Sequence, residues 1–227
     1  MYSLIHQQVD AIVLVPIDSK ALVQPAVEAV RKGIPVINID IQLDAQLLEQ
    51  AGVEVAFVGP DNFAAAYEVG KLLGKKLRNE DKVAIIEGLA AADNAQQRKR
   101  GFIKAIEEKG LRLVASEPAD WETEKAAEVF QAMWMRYPDL KAVYCSNDAM
   151  ALGVLQQMQE KKCYLPVVGF DNDAVMKEFL STGKLVATAD IFSSQMAVRG
   201  IEFALDVLEG RIENRGVHST AYEIIKQ

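Results

Sequence analysis

The chain has 227 residues, 50% of them hydrophobic and 25% charged, long enough to bury one large core or two smaller ones. Its 25 Lys and Arg against 32 Asp and Glu give a formal charge of −7, and no basic run is longer than RKR at residues 98–100, so nucleic acid and anionic membrane surfaces are poor partners. No apolar stretch approaches the roughly 20 residues that a membrane-spanning helix needs. The opening MYSLIHQQVD shows no signal peptide, and Cys145 and Cys163, expected to be buried thiols, match neither a disulfide framework nor a metal motif.

Short Val- and Ile-rich runs alternate with segments whose apolar residues recur three or four apart, so strand and helix are expected in alternation. SLIHQQ reads as the back half of a helix. Residues 10–16 form the first expected strand, and SKALVQPAVEAVRKG a helix capped by Ser19 and stopped by Gly33. Residues 34–40 are the next strand. VEVAFVG then leads into a helix beginning near Asn62. The alternation continues through KVAIIEG, a helix over 95–109, LRLVASEP, a helix over 122–137 and KAVYCSND. After the helix MALGVLQQMQEKK come LPVVGFD, a helix around AVMKEFL, LVATA, a helix over 194–208 and a last strand, AYEIIK. Near-continuous apolar strands imply burial on both faces, hence an α/β fold of mainly parallel sheets covered by helices.

A doubly wound domain normally opens on a strand, because strand order reverses around the first one. This chain opens on a helix, so a leading strand, helix and strand are expected to be absent, with apolar surface exposed on IVLV and VINI.

In open parallel sheets ligands bind beyond the carboxyl ends of the strands. The residues that end these runs are Asp40, Asn147 with Asp148, Asp171, and Asp190; Asp93, Asn94, Gln96 and Arg98 follow AIIEG, and Trp121 follows Pro118. Carboxylates and amides accept hydroxyl protons, amides and guanidinium groups donate to hydroxyl lone pairs, and an aromatic ring covers an apolar C–H face. That set suits a small polyhydroxylated ligand. Asp and Asn at strand-to-helix junctions are equally the preferred helix N-caps, and Asp148 reads mostly as one. Trp121 reads equally as a core residue, and Arg98 as part of a solvated helix face.

An enzyme is not expected. The two histidines, His6 and His218, sit near opposite ends of the chain, and no phosphate-binding loop, dinucleotide fingerprint, zinc-protease motif or nucleophile elbow is present. No cofactor and no metal is implied.

DAIVLVPIDSKAL followed by GIPVINID, together with NAQQRKRGF, PADW, SNDAMALG and VVGFD, resembles the periplasmic sugar-binding proteins of ABC importers, of the ribose-binding type, over essentially the whole chain. The resemblance implies two doubly wound domains of the type I periplasmic binding protein kind, joined by three crossings and closing on ligand about a hinge. The first would comprise residues 1–60 and 191–219, the second 61–190 and 220–227. It implies ligand contacts at Asp40, Trp121, Asn147 and Asp171, with Asn94, Arg98 and Asp190 as further candidates. Three positions depart from the pattern: Ile41 replaces an Arg, Gln96 stands near the usual ligand Arg, and Ile191 replaces a Gln. These changes favour another sugar or a polyol over ribose. The implied function is delivery of that ligand to an ABC transporter permease in the periplasm, with the membrane met only through the permease. The alternative is the effector domain of a LacI-type regulator, which shares several of these motifs.

Overall fold

The computed structural model describes residues 1–226. In chain order the elements are α1 (Tyr2–His6), β1 (Ile12–Leu14), α2 (Val23–Arg31), β2 (Val36–Ile39), α3 (Ala45–Gln50), β3 (Ala56–Pro60) and α4 (Asn62–Gly74). There follow β4 (Lys82–Glu87), α5 (Asp93–Lys109), β5 (Arg112–Pro118), α6 (Thr123–Arg136), β6 (Ala142–Cys145), α7 (Asp148–Glu160) and β7 (Val167–Val168). A 3-10 turn at Ala174–Met176 precedes α8 (Lys177–Ser181), β8 (Leu185–Asp190), α9 (Ser193–Leu208), β9 (Val217–Thr220) and β10 (Glu223–Lys226). The expected strand–helix alternation is present, and no described helix is long and apolar enough to cross a membrane.

The chain folds as two compact units. The smaller comprises Met1–Asp61, Ala91–Asn94 and Phe192–Ala221; the larger comprises Asn62–Ala90, Ala95–Ile191 and the chain from Tyr222 onward.

In the smaller unit four parallel strands lie in the order β1-β2-β3-β9. Side chains alternate across a strand, so VINI serves two layers. Val36 packs with Val23, Ala26 and Val27 of α2 on one face, while Ile37 and Ile39 meet Ala204 of α9 on the other. The expectation of exposed apolar surface is therefore corrected for VINI, which is buried throughout because α2 and α9 cover its two faces and β1 and β3 its edges. It holds for β1 at the sheet edge, where Val13 is 37% exposed, with Val15 beyond it at 50%.

Ser19 does not cap α2, which starts at Val23 with no side-chain cap. The Asp18 carboxylate accepts from the backbone N–H groups of Lys20 and Ala21 instead, and the Ser19 hydroxyl accepts from Asp93 N (2.9 Å). Gly33 ends the helix as expected, at φ +81. Two elements lie outside the expected set. α3 is only six residues long, capped by the Asp44 side chain on Leu47 N (3.0 Å). β9 carries no buried apolar run, with Val217 63% exposed, so its backbone pairing to β3 leaves no pattern in the side chains.

The larger unit holds a six-stranded sheet in the order β10-β8-β7-β6-β4-β5, parallel except where β10 runs against β8. Its core includes Phe130 and Met133 of α6, Val143 and Cys145 of β6, and Met150 and Leu155 of α7. Cys145 is buried as expected, whereas Cys163 is only half-buried and lies in the loop after α7. β4 lies between β5 and β6, so the chain crosses to one side of β4 and then to the other. The loops following β4 and β6 part at that reversal, which is where parallel sheets open a ligand crevice.

Candidate functional site

At the carboxyl ends of the larger sheet the central group is Arg98, on α5. Its side chain is buried, the residue being only 3% exposed, which excludes the solvated-face reading; Arg100, two residues on, is the exposed one. Arg98 Nε donates to Asn62 Oδ1 (2.9 Å), and Nη1 donates to the Ser146 carbonyl (2.8 Å) and reaches Asp171 Oδ1 at 3.4 Å. The guanidinium also lies over Phe170, 3.7 Å from the ring centroid, and 5.5 Å from that of Trp121. A buried cation needs this number of partners to offset its lost hydration.

Trp121 is held by backbone rather than by hydrogen bonds. Asp120 and Trp121 both take left-handed conformations, at φ +53 and +72, which folds the ring back over the end of β4. There it rests on Gly88, where any β-carbon would overlap the indole. Gly88→Ala is therefore expected to unseat the ring while leaving the fold intact. With Trp134, the chain's other tryptophan, changed to Phe, a shift of the remaining emission to longer wavelength would report it; an unchanged spectrum would show that the ring does not depend on Gly88.

Asn147 is the N-cap of α7, its Oδ1 accepting from Met150 N (2.9 Å), while its Nδ2 has no hydrogen-bond partner among the described residues. Capping and ligand donation are thus compatible in one amide. Asp148, read as a cap, is not one. It begins α7 fully buried, and its carboxylate accepts from the Thr188 hydroxyl and from Asp173 N. Burial above all, with the nearby charges of Asp171 and Asp173, pushes its pKa up to about 7.

Asp171 and Asn172 follow β7 at φ +108 and +58, and the Asp171 side chain is 28% exposed. Asp190, ending β8, accepts from Asn172 Nδ2 (2.9 Å). The Ser146 hydroxyl at the end of β6 is fully buried with no hydrogen-bond partner among the described residues. Beside them Glu87 accepts from Lys99 Nζ (2.8 Å) and from the Ser116 hydroxyl, an internal pairing that consumes both charges.

The structure thus links Arg98, Trp121 and Asp171 through direct contacts and sets Asp190 against the neighbouring Asn172. Asp40 and Asn94 belong to the smaller unit. Asp40 ends β2 at φ +66 and is half-buried; Asn94 is 5% exposed, its Oδ1 without a hydrogen-bond partner among the described residues. Of the departing positions, Gln96 donates to the Ala90 carbonyl (3.0 Å), and Ile41 and Ile191 are buried. Asn62, Phe170 and Asn172 were not singled out from sequence. Asn62 reads there as a helix start and Phe170 as the last residue of an apolar run; an amide directly after Asp171 was the one available signal.

Both histidines are exposed, His218 against Phe203 with ring centroids 4.5 Å apart. Among the described residues no group of three or more His, Cys, Asp or Glu is placed to hold a metal ion.

The family model "Periplasmic binding protein domain" matches residues 1–212. The chain belongs to this family. A D-ribose/D-allose-binding protein of Pseudomonas aeruginosa is 42% identical over 222 residues, 96% of this chain and 70% of its own length. The D-allose-binding periplasmic protein of Escherichia coli is 35% identical over 200 residues, covering 86% of this chain and 64% of its own. Among solved structures, an ABC transporter solute-binding protein of Burkholderia multivorans superposes with a TM-score of 0.95 at 40% identity, over 99% of this chain and 80% of that one. A periplasmic solute-binding protein of Actinobacillus succinogenes with bound D-allose gives 0.92 at 32%, over 99% and 81%. Like these two, this periplasmic binding protein carries parallel sheets flanked by helices.

Proposed function

We propose that the protein binds a monosaccharide and delivers it, chemically unchanged, to the permease of an ABC importer in the periplasm. The observation that carries this reading is the Arg98–Asp171 pair beneath Trp121 at the strand reversal. Arg98, itself buried, fixes the Asp171 carboxylate as a hydroxyl acceptor, and Asn147 supplies the complementary donor. Trp121 offers a ring face to the C–H side of a pyranose or furanose. Asp190 is proposed as a further acidic contact, and Asp40 and Asn94 as the ligand residues of the smaller unit.

The proposed role is binding: within the larger unit the Asp171 carboxylate lies against Arg98 and that of Asp190 against Asn172, each placed to accept from a hydroxyl.

D-Allose is the first ligand to try, because the Pseudomonas aeruginosa and Escherichia coli relatives are both named for it. Calorimetric titration against pentoses, hexoses and sugar alcohols is expected to show one-to-one binding of an aldose, D-allose ahead of D-ribose. Absence of heat from every member of that panel at millimolar concentration would overturn the ligand class.

A further inference from the structure

We infer that Asp148 is a positioning residue for Asp171: its buried carboxylate, acting with the Thr188 hydroxyl, locks the turn at residues 170–173 in the left-handed conformation that presents the Asp171 side chain. The inference rests on the sugar-binding reading for its consequence, but not for its geometry. Two consecutive residues, Asp171 and Asn172, hold positive φ angles in this turn. Such conformations persist only when surrounding bonds over-determine them.

Here the bonds can be traced atom by atom. Asp148 N donates to the Phe170 carbonyl (2.7 Å) at one end of the turn, and Asp173 N donates to Asp148 Oδ2 (2.8 Å) at the other. Between them Asn172 N donates to Thr188 Oγ1 (3.2 Å), and that hydroxyl in turn donates a hydrogen bond to the Asp148 carboxylate, its oxygen lying 2.9 and 3.1 Å from the two carboxylate oxygens. Gly169 makes room for the arrangement, since a β-carbon there would overlap Asp148 Oδ1. Helix capping explains none of this, because Asn147 is the cap.

The relay needs Asp148 as a pure acceptor, which an ionised carboxylate is and a carboxylic acid is not. Protonation turns one of the two oxygens facing the Thr188 hydroxyl into a donor, leaving that hydroxyl one acceptor where it had two and a new O–H competing for the same contact. The charges around Asp148 are Asp171 and Asp173 in the turn, with Arg98 of α5 reaching Asp171; the neighbouring Cys145 of β6 has its thiol pushed up by burial and is neutral. Burial and the two acids raise the Asp148 pKa to about 7, so the relay is complete above that pH and incomplete below it. Fold stability moves the other way. The folded state keeps a proton that the unfolded chain, with a pKa of 3.8, has released, so this group's contribution to stability falls as pH rises from 3.8 through about 7. A merely structural role would make affinity follow stability; a positioning role makes the two diverge.

The test uses the whole chain with Asp148→Asn, an isosteric change, and Thr188→Val. In ligand-free protein, hydrogen exchange at the Asn172 and Asp173 amides is expected to quicken in both variants while the β6 amides keep their protection. With D-allose, the unmutated protein is expected to bind about threefold to tenfold more weakly near pH 5.5 than near pH 8, the size of one lost hydrogen bond, and Asp148→Asn to bind weakly and equally at both. Unchanged exchange at those amides, or a pH profile in Asp148→Asn parallel to the unmutated one, would overturn the inference. If no sugar binds the unmutated protein, the functional reading fails, and the exchange result alone decides the role of Asp148.

Discussion

Asp171→Ala is expected to abolish measurable sugar binding, lowering affinity by at least about 100-fold. The reason is arithmetic. A hydrogen bond to a charged group contributes about 1.5–3 kcal/mol, a carboxylate can receive two sugar hydroxyls, and each 1.4 kcal/mol is about tenfold. The fold should lose far less. The Asp171 side chain is 28% exposed and its contact with Arg98 is long, at 3.4 Å, so about 1 kcal/mol is the expected cost in stability. Alanine does bring a second defect, because residue 171 sits at φ +108, where a β-carbon without local hydrogen bonding is strained. Asp171→Asn separates the two effects: the amide tolerates the backbone and keeps one acceptor, so its loss of affinity measures the charge and the second acceptor without the backbone strain. Calorimetry on both variants with D-allose, beside their melting temperatures, checks the claim. Affinity within threefold of the unmutated protein in Asp171→Ala would remove this carboxylate from the site.

The depth to which the site could be read from the sequence differed by residue. Strands buried on both faces write their pattern directly into the chain, which is why VINI, AVYC and KVAIIE could be placed, and why Asp40 beyond the first and Asn147 beyond the second stand out as candidate ligand groups. β9 has no such pattern because, at the sheet edge, its one neighbour β3 is reached through backbone bonds while its side chains face solvent. Asn147 and Asp148 are adjacent and both good caps; the extended backbone at 147, φ −152 and ψ 172, decides between them, and no composition reveals it. Trp121 depends on Gly88, 33 positions back, having no side chain, a condition visible only once β4 and the loop after β5 are side by side.

Arg98 shows most sharply how burial in three dimensions overrides a local reading. In the sequence it stands in a basic run and reads as solvated or ligand-facing; in the fold its partners come from residues 36, 48, 72 and 73 positions away. Arg98→Met keeps an unbranched stem of similar reach and deletes only the guanidinium. The Ser146 carbonyl and Asn62 Oδ1 then each lose a charge-assisted donor, and Phe170 loses the cation over its ring. At about 1.5–3 kcal/mol for each hydrogen bond to a charged group and about 1–2 for the desolvated cation–π contact, offset by the smaller desolvation of a thioether, the net loss should be about 3–5 kcal/mol. For a chain of this size that is a fall in melting temperature of roughly 10 °C. Sugar affinity should fall as well, because Asp171 is left without the cation that orients it. Arg98→Lys is the control. It restores charge near Asp171 but cannot reach Asn62, Ser146 and Asp171 together, so it should recover less than half of the lost stability, lysine offering one compact ammonium where arginine offers a planar fork. A melting temperature in Arg98→Met within 2 °C of the unmutated protein, about what 1 kcal/mol produces, would mean that the guanidinium is not the internal support its hydrogen bonds describe.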